Sequence, residues 1–487
     1  MTNQVITQQH DTGQRSREEG FPDATGAPAD SLVDGLVKHA RAARLQIEEW
    51  SEERIDAILA ALANAVCEQA YNLAVATVAE TGMGNAADKM LKNSVASAGV
   101  YAQLSGQTGH GQIGFDRERQ VAEIASPVGV VAGLIPATHP VATFIFKALI
   151  ALKGRNAIIL SPSQRARQVS EQVGRLIQRT LHEAGAPAGL VQWLGAGANR
   201  QTTAALMAHR HVGIVLATGG RDMVQAAYRS GKPAIGVGPG NAPALIAADA
   251  DLRHAAHGFV LSKSFDNGLI CGAENHLVVE AGARQPFVDE LVRQGAALLT
   301  REEGERFRSV AVSPETQRFV PPVIGQDAET LAALARIERP YGIKLLVVPT
   351  ESMNAGNYLA AEKLAPVVSL FTVTGTDDGL RVCRALLDID GPGHTAVIHT
   401  RNASLVGRFA STIPVSRILV NSPATQGLMG LTTGLPPSLT LGCGTGRNLQ
   451  QAGATWFRPP TGPVSRRSAW APGAAPPRPT SSRIGIC

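Results

Sequence analysis

The residue best suited to chemistry in this chain is a cysteine in a glycine-bounded loop. The stretch SKSFDNGLICGAEN (262–275) sets Cys271 between Gly268 and Gly272. An ionised thiol is a strong nucleophile, although an unpaired cysteine is more often a small buried hydrophobe. Asn267 and Gly268 form a turn dipeptide, so the loop is tight and leaves backbone N–H groups free to meet a reacting oxygen. Two glycine clusters, LATGGRDM (216–223) and GVGPGNAP (236–243), follow apolar runs. Turns of this kind let backbone approach a phosphate or a ring closely. Neither matches GxGxxG, and GAGANR (195–200) lacks the last glycine, so ordinary strand-to-helix turns fit them equally well. His209 and His211 in HRH have no third ligand placed by spacing, and no metal site is expected.

The elements around these loops alternate. From about Ser31 to Leu104 apolar residues recur at helical spacing, as in RIDAILAALANAV. Ser51 reads as a helix N-cap, with Glu52 and Glu53 favourable at the positive end and Trp50 and Ile55 spaced as a hydrophobic staple. Beyond Val121, the apolar runs VGVVAGLIP, NAIILSP, VGIVLATGG and PALIA alternate with helical stretches such as ATFIFKALIALK. Continuous apolar strands between helices predict a parallel sheet covered on both faces. A second alternation, HLVVE, KLLVVP, HTAVIHT and RILVNSP, follows the cysteine. The fold class expected is α/β, with two Rossmann-like lobes and SFDNGLIC opening the second.

Composition narrows the function classes. The chain has 487 residues, 44% of them hydrophobic and 17% charged, enough for sizeable cores. The net charge of +5 comes partly from arginines near the end, and aromatics are only 4%, so no nucleic-acid partner is expected. Five scattered cysteines form no CxxC pair, which argues against a disulfide framework and fits a reducing cytoplasm. The first thirty residues lack an apolar signal core and read as a disordered arm. No apolar stretch is of spanning length, so no membrane partner is expected. After Gly446 the chain becomes rich in Pro, Arg, Ala and Gly without periodicity, a tail-like composition.

Over most of its length the chain resembles the CoA-acylating aldehyde dehydrogenases, a group within the aldehyde dehydrogenase superfamily. The resemblance rests on SFDNGLICGAEN, ETGMGNAADKMLKN (80–93), the stretch from Ser126 to Ala166, ATGGRDMVQAAYRSGKPAIGVGPGNAP (217–243), GPGHTAVIHT (391–400) and RILVNSPATQG with PPSLTLGCGTG. It implies an aldehyde dehydrogenase-like fold with an oligomerisation extension: arm 1–30, dinucleotide-binding domain 31–250, catalytic domain 251–430 and terminal segment 431–487. It further implies NAD or NADP as cofactor, coenzyme A as cosubstrate, and a homo-oligomer unless the tail prevents one.

The resemblance also implies site roles. Cys271 would attack the aldehyde carbonyl, hold the acyl group as a thioester after hydride loss, and pass it to the thiol of coenzyme A. Thr218, Gly219 and Gly220 match the turn beside the dinucleotide, and Glu362 matches the glutamate at the nicotinamide ribose. Pro136 and Thr138 belong to the loop facing the cysteine. Ser161 stands about where hydrolytic members place a lysine near the nucleotide ribose. His394 matches the acylating group and is a candidate at the acyl or coenzyme A site. His139 replaces the usual asparagine; its N–H would hold the oxyanion, or its charge would attract an anionic aldehyde. Lys147 is expected on a solvated face, the alternative being a coenzyme A phosphate. Val237 replaces the glutamate that activates water in hydrolytic members, and a valine cannot act as a base.

Acylating oxidation of acetaldehyde or sulfoacetaldehyde is therefore the expected function. The rivals are a hydrolytic dehydrogenase yielding the free acid and a catalytically idle relative. The abrupt change of composition at the end is consistent with an altered reading frame.

Overall fold

Ser51 begins a helix as its sequence suggests: its side chain accepts the N–H of Arg54. Glu52, in the first turn, also reaches Lys153 at 3.1 Å and Arg155 at 2.7 Å, pinning the helix to later chain. A computed structural model describes residues 27–354, 356–439 and 467–469. Five α-helices open it: α1 (Ala27–Gln46), α2 (Glu52–Glu68), α3 (Ala70–Thr81), α4 (Ala86–Ser94) and α5 (Val100–Leu104). A π-helical turn, Val95–Gly99, joins the last two. The arm expected over residues 1–30 lies outside the described residues up to position 26, and its last four residues are already in α1.

An antiparallel hairpin, β1 (Gly111–Asp116) and β2 (Val121–Ala125), precedes the first large sheet. Then come β3 (Val130–Ile135), α6 (Pro140–Lys153), β4 (Ala157–Pro162), α7 (Arg167–Glu183), β5 (Val191–Trp193), α8 (Arg200–Ala208), β6 (Val212–Thr218), α9 (Arg221–Arg229) and β7 (Ala234–Val237). The five strands form a parallel sheet in the order β5-β4-β3-β6-β7. All residues of β3 and β4 are buried, as expected for strands covered on both faces.

The second sheet is built from β8 (Ala242–Ile246), β9 (Glu274–Glu280), β10 (Ala296–Leu298), β11 (Leu345–Pro349), β12 (Val367–Val373), β13 (Gly393–His399), β14 (Val415–Val420) and β15 (Arg467–Ala469). Its order is β10-β11-β12-β9-β8-β13-β14-β15, and every pairing is parallel. Helix α10 (Leu252–Ser264) connects β8 to the loop before β9.

One assignment is corrected here. The run PALIA, grouped by sequence with the first lobe, is β8, which pairs with β9 and β13 in the second sheet. The sheets therefore change over between Val237 and Ala242. A buried apolar run reads alike in either sheet, and only its partners decide. Most of the segment 431–487, including the reading-frame question, lies outside the described residues; Arg467–Ala469 adds an edge strand beside β14. No single helix among the described residues is long and apolar enough to cross a membrane.

Candidate active site

Strands of a parallel sheet end together, and their following loops gather at one edge. Here the loops after β3, β4, β6 and β7 meet the Cys271 loop around a cavity of about 680 Å³. Pro136, His139, Ser161, Thr218, Gly219, Gly220, Cys271 and Glu362 all line it. His394 does not, but its Nε2 lies 3.1 Å from Cys271 Sγ, behind the sulfur. All nine candidates thus converge on one place.

The nucleophile loop is held in a costly shape. Asp266, Asn267 and Gly268 have φ of 46°, 54° and 73°, three consecutive left-handed residues. Glycine adopts this region freely, and aspartate and asparagine tolerate it better than other side chains, at a cost of about 1 kcal/mol each. A side chain at 268 would also meet the Ala365 carbonyl oxygen at 2.5 Å. Side-chain bonds offset the strain: Asn267 Nδ2 donates to the Gly325 carbonyl at 2.8 Å, and the Asn85 N–H donates to Asp266 Oδ1 at 3.0 Å. Gly272 permits close packing, since a β-carbon there would lie 2.1 Å from Leu428 Cδ1 and 3.3 Å from His394 Cε1.

Electrostatics set the resting state. Cys271 is partly exposed at the cavity wall, yet dry packing and the neighbouring Glu362 push its thiol up to about 12. The resting sulfur therefore keeps its proton. Burial, with Arg417 adding to it, lowers His394 to about 3, so its imidazole is neutral. With Nδ1 paired to Thr395 Oγ1 at 2.9 Å, Nε2 is placed to accept the S–H. Glu362 is raised to about 8, mainly by burial, and accepts the Gly240 N–H at 2.8 Å. It is a carboxylic acid at neutral pH.

His139 stands at the N-cap position of α6, with Pro140 in the first turn. Its Nδ1 lies 2.8 Å from Thr138 Oγ1. Burial and the cations of Lys92, Lys89 and Lys147 hold its pKa well below the usual value. The expectation of a charged histidine attracting an anionic aldehyde is thereby corrected: the ring is neutral, and only its N–H remains as a donor.

Lys147 is corrected as well. It is fully buried, and its Nζ donates to the carbonyls of Leu134 at 2.6 Å and Leu216 at 2.8 Å, tying β3 to β6 just below the cavity. It lies on no solvated face and is not among the lining residues.

The dinucleotide candidates are suited to a cofactor. Thr218 Oγ1 is buried without a hydrogen-bond partner among the described residues, an unusual state for a hydroxyl at a strand end. A β-carbon at Gly220 would meet nothing within 4 Å, so the backbone there faces open space. Ser161 Oγ is engaged with Thr203 Oγ1 at 2.7 Å. Val237 lines the cavity and brings no base. No group of three or more His, Cys, Asp or Glu side chains placed to hold a metal occurs among the described residues.

One part of the site carried no role in the sequence reading: Lys89 and Lys92, both buried, whose Nζ atoms reach Asp266 and the Thr138 carbonyl. The signal was present, since Asn85, Asp88, Lys89 and Lys92 recur at helical spacing on one face of α4. Such a polar face ordinarily reads as solvated.

Comparison with known proteins agrees with this geometry. The aldehyde dehydrogenase family pattern matches residues 22–440, and the chain belongs to the aldehyde dehydrogenase family. It is 35% identical over 417 residues to the aldehyde-alcohol dehydrogenase of Clostridium acetobutylicum, across 85% of this chain and 48% of that one. It is also 35% identical to the sulfoacetaldehyde dehydrogenase of Acholeplasma sp, across 87% and 88% of the two chains. The chain spans about half the length of the first of these relatives and most of the second. Among solved structures, an acetylating aldehyde dehydrogenase from Geobacillus thermoglucosidasius superposes with a TM-score of 0.83 at 36% identity, over 93% of this chain and 99% of that one. A Rhodopseudomonas palustris propionaldehyde dehydrogenase with bound CoA and an acylated cysteine matches with a TM-score of 0.76 at 25% identity, over 85% and 93%.

Proposed function

We propose that the chain oxidises a small aldehyde to its acyl-CoA with NAD or NADP. The observation that carries this reading is Cys271 Sγ at the wall of the cavity, 3.1 Å from His394 Nε2, with Val237 where a water-activating base would stand. Thr218, Gly219 and Gly220 would hold the dinucleotide, with Pro136 and Ser161 along its wall and Glu362 at the ribose. The nicotinamide, when bound, supplies the hydride acceptor.

The chain's own groups do the rest. Cys271 adds to the carbonyl carbon while the thiol proton passes to water; His394 Nε2 orients the S–H as a hydrogen-bond acceptor but, lowered to about 3, does not keep the proton. The thiohemiacetal oxygen is met by the His139 ring N–H and the Cys271 backbone N–H. Loss of hydride leaves a thioester on Sγ, and the thiol of coenzyme A displaces it, returning the cysteine. Thioesters exchange readily with thiols, so no further base is required for transfer. The hairpin β1–β2, with Phe115 half exposed and Ile113, Val121 and Ile124 also exposed, supports a homo-oligomer. Acetaldehyde and sulfoacetaldehyde both remain substrates to assay, the second without help from a charged His139.

The deciding experiment follows reduced dinucleotide with and without coenzyme A. With acetaldehyde or sulfoacetaldehyde, steady-state formation should rise at least about tenfold when the thiol acceptor is present, with acyl-CoA as product. Equal rates with and without it would point instead to the hydrolytic rival. No turnover under either condition, with dinucleotide still bound, would favour the idle relative.

Glu362 adds a pH-dependent side reaction. It is the one carboxyl group among the cavity-lining residues, and its pKa of about 8 leaves it protonated below that pH. As pH rises through about 8, a carboxylate able to deprotonate water appears. The share of free acid among the products should therefore climb above this pH in the natural protein and stay flat in Glu362→Gln. Product analysis by chromatography across the range checks it; the same climb in the variant would rule out Glu362 as the base.

A further inference from the structure

Two lysines and one aspartate are buried together between the two loops that frame the reaction. Asp266 and Lys92 are fully buried, and Lys89 is nearly so. Asp266 belongs to the nucleophile loop and is bonded on every side by the segment before and within α4. Its N–H donates to Asp88 Oδ2 at 2.7 Å, and Oδ1 accepts the Asn85 N–H at 3.0 Å. Oδ2 accepts Lys89 Nζ at 3.1 Å and also Lys92 Nζ. Gly84 is needed for this fit, since a β-carbon there would lie 2.0 Å from Asp266 Oδ1. The same two Nζ atoms reach the Thr138 carbonyl, Lys89 at 3.1 Å and Lys92 at 3.5 Å.

We propose that Lys92, supported by Lys89, is a positioning residue for the reaction at Cys271: by bonding Asp266 and the Thr138 carbonyl together, it sets the nucleophile loop against the loop that carries His139. This rests on Cys271 being the nucleophile, but not on what accepts the acyl group. Two physical consequences follow. A trans peptide directs its carbonyl and its N–H to opposite sides, so anchoring the Thr138 oxygen fixes the direction of the His139 N–H and the start of α6. Lys92 also acts electrostatically on the sulfur, in the direction that favours its thiolate. The groups acting on Cys271 are Glu362, which opposes the thiolate, Lys92, which favours it, the backbone N–H groups of Cys271 and Gly272, which also favour it, and the neutral His394 beside it. Around the lysines themselves stand Asp266, Asp88 and His139, the last of which also faces Lys147.

The test measures alkylation of Cys271 by iodoacetamide against pH, read by mass spectrometry of its peptide, in full-length protein without aldehyde or coenzyme A. In Lys92→Met, the pH profile should move upward by about one unit, and turnover should fall at least about tenfold while dinucleotide affinity stays within about twofold. Lys92→Arg keeps the charge and should return the alkylation profile towards the natural one. Because Lys92→Met takes one of its two lysine partners from the buried Asp266 carboxylate, the single variant risks unfolding; the double variant Lys92→Met with Asp266→Asn removes both charges and should show the same upward shift. A natural alkylation profile in whichever of these folds, or normal turnover in Lys92→Met, overturns the proposal. Since alkylation needs no acyl acceptor, a failure of the acyl-CoA reading leaves this result readable on its own.

Discussion

Cys271→Ser is expected to lower aldehyde oxidation at least about a thousandfold while dinucleotide binding remains. A serine hydroxyl fits the same space but is a far weaker nucleophile at neutral pH. It also leaves an oxygen ester, which gives up its acyl group to a thiol less readily than a thioester does. His394 Nε2 lies within bonding reach of the natural sulfur, yet with its pKa lowered to about 3 it is too weak a base to ionise a hydroxyl. The loss should therefore appear in kcat rather than in KM for the dinucleotide, whose candidate contacts are on other loops. Stopped-flow absorbance for turnover and calorimetric titration for binding separate the two. Retention of a near-natural rate would end the nucleophile assignment.

Gly240→Ala should be nearly as damaging, by a different route. A β-carbon there would lie 1.6 Å from the Cys271 carbonyl oxygen and 2.6 Å from its carbonyl carbon. Both are backbone atoms, so no side chain can swing aside; the turn or the nucleophile loop must move. Overpacking of this kind costs about 1–3 kcal/mol of stability, and a displacement near 1 Å at a reacting centre costs about a hundredfold in rate. Gly240 also donates to Glu362 and accepts Asn275 Nδ2 at 3.2 Å, so the shift would spread to the part of the cavity wall that Glu362 forms. A folded variant with melting temperature and kcat both unchanged would mean that the close approach is not maintained in solution.

Much of this site is legible before any coordinates. A cysteine after a turn dipeptide, and glycines at the ends of apolar runs, reflect local backbone needs that one sequence displays; Asn267 and Gly268 do adopt left-handed φ. What sequence cannot display is pairing across long separations. The run that became β8 is apolar in either sheet, so its neighbours β9 and β13 had to be seen. The edge strand β10 escaped the alternation because three residues are too few to show a pattern. Lys147, Lys89 and Lys92 are charged residues whose burial is invisible locally, because it depends on carbonyls and a carboxylate contributed from elsewhere. The charge of His139 is equally invisible locally, because burial first, and those same lysines after it, keep its ring neutral.

The separations within the Asp266 cluster bear on how the enzyme is made. Asp266 meets Lys89 and Lys92 across 177 and 174 positions, and Cys271 meets His394 across 123. During synthesis the thiol leaves the ribosome well before the histidine that will sit behind it, and before β13 completes that flank of its sheet. A nascent chain halted between these points carries the cysteine without its finished surroundings. Until Glu362 and β13 are in place the thiol lacks the packing and the neighbouring carboxyl that push it up to about 12, so the growing chain carries it in a more readily ionised state than the finished one.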